Sequence, residues 1–500
     1  MILETLICTI YIFLFTYIVW KSAFFSAAGV PKSYFLSVFF LKIIIGVVGW
    51  QLYNSFYPVN DAIGFYNSSK VLYDLFFQNQ EHFFKLFFGQ EDDSLKPYLV
   101  QLTGWEDGYL TLFVNDSRTI IRYNTILQFF SFGAYHVHTI VSCFLSFVGL
   151  TFIYKSLLFF IKEKSKLLLV VIFLLPSVLF WSSMVFKESL VFLGLGLVLY
   201  HSHIGLRRAY SLSSILYLLL GFLFMFIIKP YLLFCLLPAL IANAIFVRLK
   251  KPRGVVFVYL LLFSFLFLIV IGLHALLPKY DLIQKLKDKQ ELFNKSARGG
   301  VYLTANDYYV FVEYNERYDK LFYLSDSTCR LKPNVAFKKF RLNQPDSTLI
   351  KTEDYAHLYK IAYDSKPAGS YFKMDELDGS VTQLLMLSPR KLINVLFLTD
   401  FFKQKGRLIR LSVVENYLLL LALLMAICFG DFEKKNLPIV LFCLCFVVSL
   451  YIITGFTTPV LGAIVRYKVP AATFLGVIIV ILYSPQKWKL FLMRLFSKRS

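Results

Sequence analysis

The chain has 500 residues, of which 58% are hydrophobic and 17% charged. Soluble globular chains hold about 45–50% apolar and roughly 25% charged residues, so a disordered chain, a collagen and an ordinary soluble enzyme are excluded, and the surplus apolar surface calls for lipid as its solvent. The net charge of +21 does not indicate nucleic acid: lysines and arginines fall in short segments between apolar runs, as in membrane proteins that obey the positive-inside rule, and there is no soluble basic domain.

A membrane-spanning helix needs about 20 apolar residues. Eleven spans are predicted, at 2–20, 34–55, 135–160, 167–182, 186–202, 211–228, 230–247, 254–277, 411–430, 437–455 and 465–484. The first lacks a small-residue cleavage site and reads as a retained helix. The fourth and fifth are short and meet at the polar run Ser182-Ser183. The organisation expected is an all-α integral membrane protein: an N-terminal bundle over 1–277, an extracytoplasmic loop or small domain over 278–410, and C-terminal spans with a basic tail over 411–500.

Orientation follows from the short connections. With eleven spans, Lys21, Lys32, Lys162, Lys164, Lys166, Arg207, Arg208, Arg248, Lys250, Lys251, Arg253, Lys434, Lys435 and the tail lysines and arginines all fall on one side, which is the cytoplasmic one. The N-terminus is then outside and the C-terminus inside, in what the composition suggests is a bacterial cell membrane. Two long loops share the opposite face. In residues 56–134, the runs Leu75-Phe76-Phe77 and His82-Phe83-Phe84-Lys85-Leu86-Phe87-Phe88 resemble interfacial amphipathic helices. In residues 278–410, Tyr308-Tyr309-Val310-Phe311-Val312 suggests a strand, and 307–370 a small β-containing insert. Long loops are usually functional, so the site is expected on this face.

No phosphate-binding glycine loop, nucleophile elbow or zinc-protease motif appears. Six of the seven cysteines lie in apolar runs, so neither a disulfide framework nor zinc spacing exists. His136 and His138 are two residues apart, and their rings would face apart on a helix, which disfavours a shared metal.

Polar residues at the outer ends of spans are more telling, because ionisable groups near the bilayer are functional candidates. Asp61 follows the second span in Asn60-Asp61-Ala62-Ile63-Gly64-Phe65-Tyr66. Pro176-Ser177-Val178-Leu179-Phe180-Trp181-Ser182-Ser183 leads to Lys187 and Glu188. Lys229 marks the next outer turn, and Arg466-Tyr467-Lys468-Val469-Pro470 opens the last span. A local Lys187–Glu188 ion pair, a snorkelling Lys229 and an Arg466 anchored to headgroups are the plain alternatives. As a group, cations on the outer face run against the positive-inside bias, and a lipid phosphate or diphosphate would account for them.

These segments resemble the polytopic GT-C glycosyltransferases, which take sugars from polyprenyl-phosphate or polyprenyl-diphosphate carriers. The carriers of the resemblance are the aspartate opening the first outer loop, the Pro-Ser-x-x-Phe-Trp-Ser-Ser run before a basic residue, and Arg466-Tyr467-Lys468-Val469-Pro470, which is also similar to a motif of the O-antigen polymerases. It covers scattered segments, about a tenth of the chain. It departs from the family in placing Phe65, with Tyr66 next, where a tyrosine is usual, and in having two spans before the aspartate. The resemblance implies sugar transfer to a glycan, lipid or protein acceptor outside the membrane. Asp61 would be the general base. Arg466, Lys187 and Lys229 would hold the donor phosphate. Tyr66, Trp105, Glu106 and Asp107 would contact sugar or acceptor, or hold a divalent cation; Glu106-Asp107-Gly108 also reads as a plain loop turn. The alternatives are a polysaccharide polymerase that relies on cations, and a lipid or polysaccharide translocator. The latter would show paired ionisable residues at mid-membrane and discontinuous helices, neither of which the sequence makes evident.

Overall fold

A computed structural model describes residues 2–57, 60–90, 92–99, 101–105, 115–249, 254–305, 308–334, 336–340, 348–351, 358–397 and 406–489. Long unbroken apolar runs give long helices: α1 (Ile2–Lys21) and α2 (Lys32–Phe56). The segment that follows is helical too, with α3 (Asp61–Gln78), α4 (Gln80–Phe87), α5 (Lys96–Leu99) and α6 (Asp116–Ser131). Asparagines start three of these helices. The side chains of Asn60, Asn79 and Asn115 accept backbone N–H groups of the first turns of α3, α4 and α6, which satisfies donors the helix itself cannot. α6 ends where Phe132 turns left-handed (φ 51°) and Gly133 follows at φ 80°.

α7 (Tyr135–Leu158) returns through the bundle. The span expected over 167–182 is broken into α8 (Ser165–Phe173) and α9 (Pro176–Trp181). Pro176 has no N–H to continue the first helix and disfavours helical geometry at Leu175. Then come α10 (Glu188–Arg208), α11 (Leu212–Ile228), α12 (Pro230–Leu249), α13 (Val255–Leu276) and the amphipathic α14 (Leu282–Arg298). The short α15 (Arg317–Lys320) lies among strands. α16 (Val381–Phe397), α17 (Arg407–Phe429), α18 (Leu437–Thr457), α19 (Leu461–Tyr467) and α20 (Val469–Leu482) complete the chain.

Among the described residues, eight helices are long and apolar enough to cross a membrane, and nine if α19 and α20, bent by 54°, form one span. α11 is apolar but shorter. The protein is therefore a helical membrane protein; eight or nine of its described helices meet this test, and the span expected over 167–182 is divided between α8 and α9.

The chain divides into two compact units, residues 1–264, 414–450 and 468–500, and residues 265–413 and 451–467. In the first, several of the described basic connections gather at one end. Phe24, between α1 and α2, packs on Phe152 near the end of α7 (4.5 Å between ring centres). Lys164 donates to the carbonyls of Ile481 (2.9 Å) and Tyr483 (2.6 Å), and Lys487 pairs with Asp431 at 2.5 Å.

In the second unit, a seven-stranded antiparallel sheet runs β3-β4-β7-β1-β2-β5-β6. Its strands are β1 (Gly300–Ala305), β2 (Tyr308–Glu313), β3 (Leu321–Ser325), β4 (Thr328–Leu331), β5 (Ala336–Phe340), β6 (Thr348–Lys351) and β7 (Leu358–Ser365). Val301, Leu303, Val310, Val312, Leu321, Leu331 and Tyr359 form its core. The strand expected at 308–312 is thus present, and an all-α description omits this sheet.

Candidate functional site

α3 carries Asp61 at its first residue, and Asp61 is exposed. One turn on, Phe65 is buried, and the Lys187 ammonium lies over its ring, 5.3 Å from the centre. Residues four apart on a helix are neighbours on one face, with about 5–6 Å between Cβ atoms, so Asp61 stands one turn from the residue whose ring Lys187 covers.

Lys187 does not pair with its chain neighbour Glu188. Its ammonium pairs with Asp116 at 2.6 Å and donates to Ser117 Oγ at 3.0 Å. Glu188 pairs instead with Lys229 at 2.7 Å, the two side chains being 0% and 5% exposed. The local ion pair that adjacency suggested is replaced by two long-range pairs that tie the start of α10 to the start of α6 and to the turn between α11 and α12. Lys229 is buried beside its counter-charge and does not snorkel.

The aromatic candidates are engaged in packing. Tyr66 donates from its hydroxyl to the Gly133 carbonyl at 2.5 Å and sets its ring edge-on to Tyr135 and His138. Burial raises its phenol above the usual range, and the Gln128 side chain opposes this in part. Trp105 is buried, with the guanidiniums of Arg118 at 5.0 Å and Arg122 at 5.3 Å from its ring centre. Arg118 also donates to the Trp105 carbonyl (3.1 Å), and Arg122 to that of Phe87 (2.6 Å). Glu106 and Asp107 lie outside the described residues. Of the two histidines, His138 is held between Asn124 Oδ1 (2.8 Å) and Ser131 Oγ (2.9 Å). Among the described residues, no group of three metal-ligating side chains comes together.

Arg466 belongs to the second unit. It sits in the last turn of α19 and is buried, which counts against a headgroup anchor on the outside of the protein. Tyr467 beside it leans on Phe293 of α14 (6.5 Å). The start of α19 is fixed by Leu461 N–H donating to the Ser370 carbonyl (2.9 Å) and by a bridge between Tyr371 and Val460.

Two ionisable residues inside apolar helices, Lys42 and Glu415, escaped the sequence reading, and Lys468, noted there as part of the last outer turn, joins them as a buried charge of the first unit. Lys42 is fully buried in α2; its ammonium donates to Ser182 Oγ (2.6 Å), Ser183 Oγ (3.2 Å) and the Ser182 carbonyl (3.3 Å). Glu415 of α17 accepts Ser177 Oγ–H (2.8 Å) and N–H (2.9 Å). Lys468, at the bend before α20, donates to Asn416 Oδ1 (2.5 Å). Asp431 N–H donates to the Leu482 carbonyl, which levels the far ends of α17 and α20. Counting back at about 1.5 Å per residue, Glu415 and Lys468 both stand about 21 Å in from that end. The signal was present: Val414-Glu415-Asn416-Tyr417 and Leu41-Lys42-Ile43 each place a charge within an apolar run.

No family model, curated protein or solved structure matches the chain.

Proposed function

We propose that the protein is a membrane glycosyltransferase of GT-C type, moving a sugar from a polyprenyl-phosphate or polyprenyl-diphosphate carrier to an acceptor on the extracytoplasmic face, in cell-envelope glycan synthesis. The observation that carries this reading is the exposed Asp61 one helical turn from Phe65, with the Lys187 cation over that ring. Transfer from a phosphate carrier needs a carboxylate and a cation at one site, and this reading assigns Asp61 and Lys187 to those roles. Asp61 removes the acceptor hydroxyl proton as that oxygen attacks the anomeric carbon. The carrier phosphate leaves with the bonding electrons, and Lys187, partly accessible and exchanging its Asp116 partner for the phosphate, compensates its charge. Lys229, already neutralised by Glu188, acts by holding the start of α10. The phosphate contact proposed for Arg466 is tested separately, by comparing Arg466→Lys with Arg466→Ala. The basic end of the first unit is taken as cytoplasmic.

A second reading, translocation of a lipid-linked glycan without chemistry, is favoured by one set of observations. Lys42 and Glu415 are buried within apolar helices and Lys468 at the bend before α20, and both α8/α9 and α19/α20 are discontinuous, features that transporters place at their binding sites. The purified protein in liposomes, given polyprenyl-phosphate and polyprenyl-diphosphate sugars and an oligosaccharide acceptor, separates the two. Glycosylated acceptor with release of the polyprenyl phosphate supports transfer. Movement of intact donor across the bilayer, with no product, supports translocation and overturns the enzyme reading.

A further inference from the structure

α9 has six residues and would be marginal alone, yet both of its ends are gripped by buried charges from other helices. At its start, Glu415 takes the backbone N–H and the hydroxyl of Ser177. At its end, Lys42 gives its three hydrogen bonds to Ser182 and Ser183. The signs match what a helix leaves over, with a carboxylate at the end that exposes N–H groups and an ammonium at the end that exposes carbonyls. Two neutral side chains reinforce the second end. Ser146 donates to the Ser182 carbonyl (2.6 Å) and the Cys143 thiol to that of Ser183 (3.1 Å).

α2 is shaped to receive this segment. One turn beyond Lys42, a Cβ on Gly46 would stand 2.5 Å from the Ser183 carbonyl oxygen and 2.8 Å from Thr139 Cγ2, so only glycine lets the chain approach. Ionisable residues inside a bilayer are costly, and apolar packing would hold a helix with less expense. The arrangement therefore calls for a reason beyond stability. Lys187 and Glu188 begin four residues after Ser183.

We propose that Lys42 and Glu415 are positioning residues that clamp α9 from its two ends and so fix Lys187 at the site. The part concerning Lys187 rests on the transferase reading; the clamp itself does not.

Hydrogen exchange of the full chain in nanodiscs tests it, with Lys42→Met, Glu415→Gln and the double variant. The clamp predicts at least tenfold faster exchange for amides 177–187 in each single variant, with α7 and α20 unchanged. It also predicts that the double variant exchanges no faster than the looser single, because both changes free one element. Independent contacts would add instead. Unchanged exchange, additive effects, or a rise spread evenly over the first unit would overturn the proposal. Should Lys42→Met not fold, Lys42→Arg and Ser177→Ala take its place: Lys42→Arg should restore most of the protection and Ser177→Ala should lose part of it, and no change in 177–187 with Ser177→Ala would count against the clamp. In the transfer assay, Glu415→Gln should lower kcat and leave donor KM near wild type. A wild-type protein without transfer would sink the transferase reading, while the exchange result would still decide the clamp.

Discussion

Glu188 and Lys229 illustrate how strongly burial constrains a charge. Each is nearly inaccessible, so removing one partner leaves the other as an uncompensated buried ion, a loss of about 3–5 kcal/mol. Lys229→Met alone should therefore lower the unfolding temperature in detergent severely. Lys229→Met combined with Glu188→Leu should recover most of that loss; a double variant as unstable as the sum of the singles would show that the pair is not the relevant unit. Lys187 and Asp116 are more exposed, and Lys187→Met should cost less than Lys229→Met. At this scale the sequence was partly legible. It marked Lys187, Glu188 and Lys229 as candidates because they stand at span ends. The plain alternative it offered, a Lys187–Glu188 pair by adjacency, is not the one formed: the partners lie 71 and 41 residues away along the chain. Only the packing of α6, α10 and α12 brings those together. Lys42 and Glu415 were passed over for another reason: an apolar window of about 20 residues absorbs one charge without ceasing to read as a span.

Helix packing inside the first unit depends on glycines. A Cβ on Gly149 of α7 would overlap the Phe192 carbonyl of α10, and one on Gly196 would overlap the Gly149 carbonyl, so these two helices meet backbone to backbone. Between α10 and α11, a Cβ on Gly194 would stand 3.1 Å from the Gly221 carbonyl oxygen, and one on Gly221 would stand 2.9 Å from that of Gly194. Small residues are the usual means of close helix contact where lipid removes the hydrophobic driving force. Gly196→Val should abolish folded protein on size-exclusion chromatography. Gly272→Ala in α13, with nothing within 4 Å of the added carbon, should leave the profile unchanged. Equal behaviour of the two variants would contradict the packing account. The long spans and the strand at 308–312 were legible because hydrophobic runs and alternation are local signals. The break between α8 and α9 was hidden because Leu174-Leu175 keeps the run apolar. Pro176 was its only mark.

Across the whole molecule, charge is sorted in a way composition alone suggested. In the first unit several of the described basic connections meet at one end, and Asp61, Asp116, Lys187 and the Glu188–Lys229 pair lie on elements that begin or end away from it. Two of the three motifs behind the resemblance are segments where regular helix fails, α9 with its following turn and the bend at Lys468. Sequence could show that polar residues cluster there but not that buried charges hold those breaks in place. The central claim is that Asp61 acts as a general base beside the Lys187 cation. It is tested most directly by the single-turnover transfer rate of Asp61→Asn with a polyprenyl-linked donor. General-base catalysis contributes about 10²–10⁴-fold, so the variant should fold, bind the donor as wild type does and transfer the sugar slower by that factor. A transfer rate within a few-fold of wild type would contradict the account and leave the cations, not the carboxylate, to explain any activity.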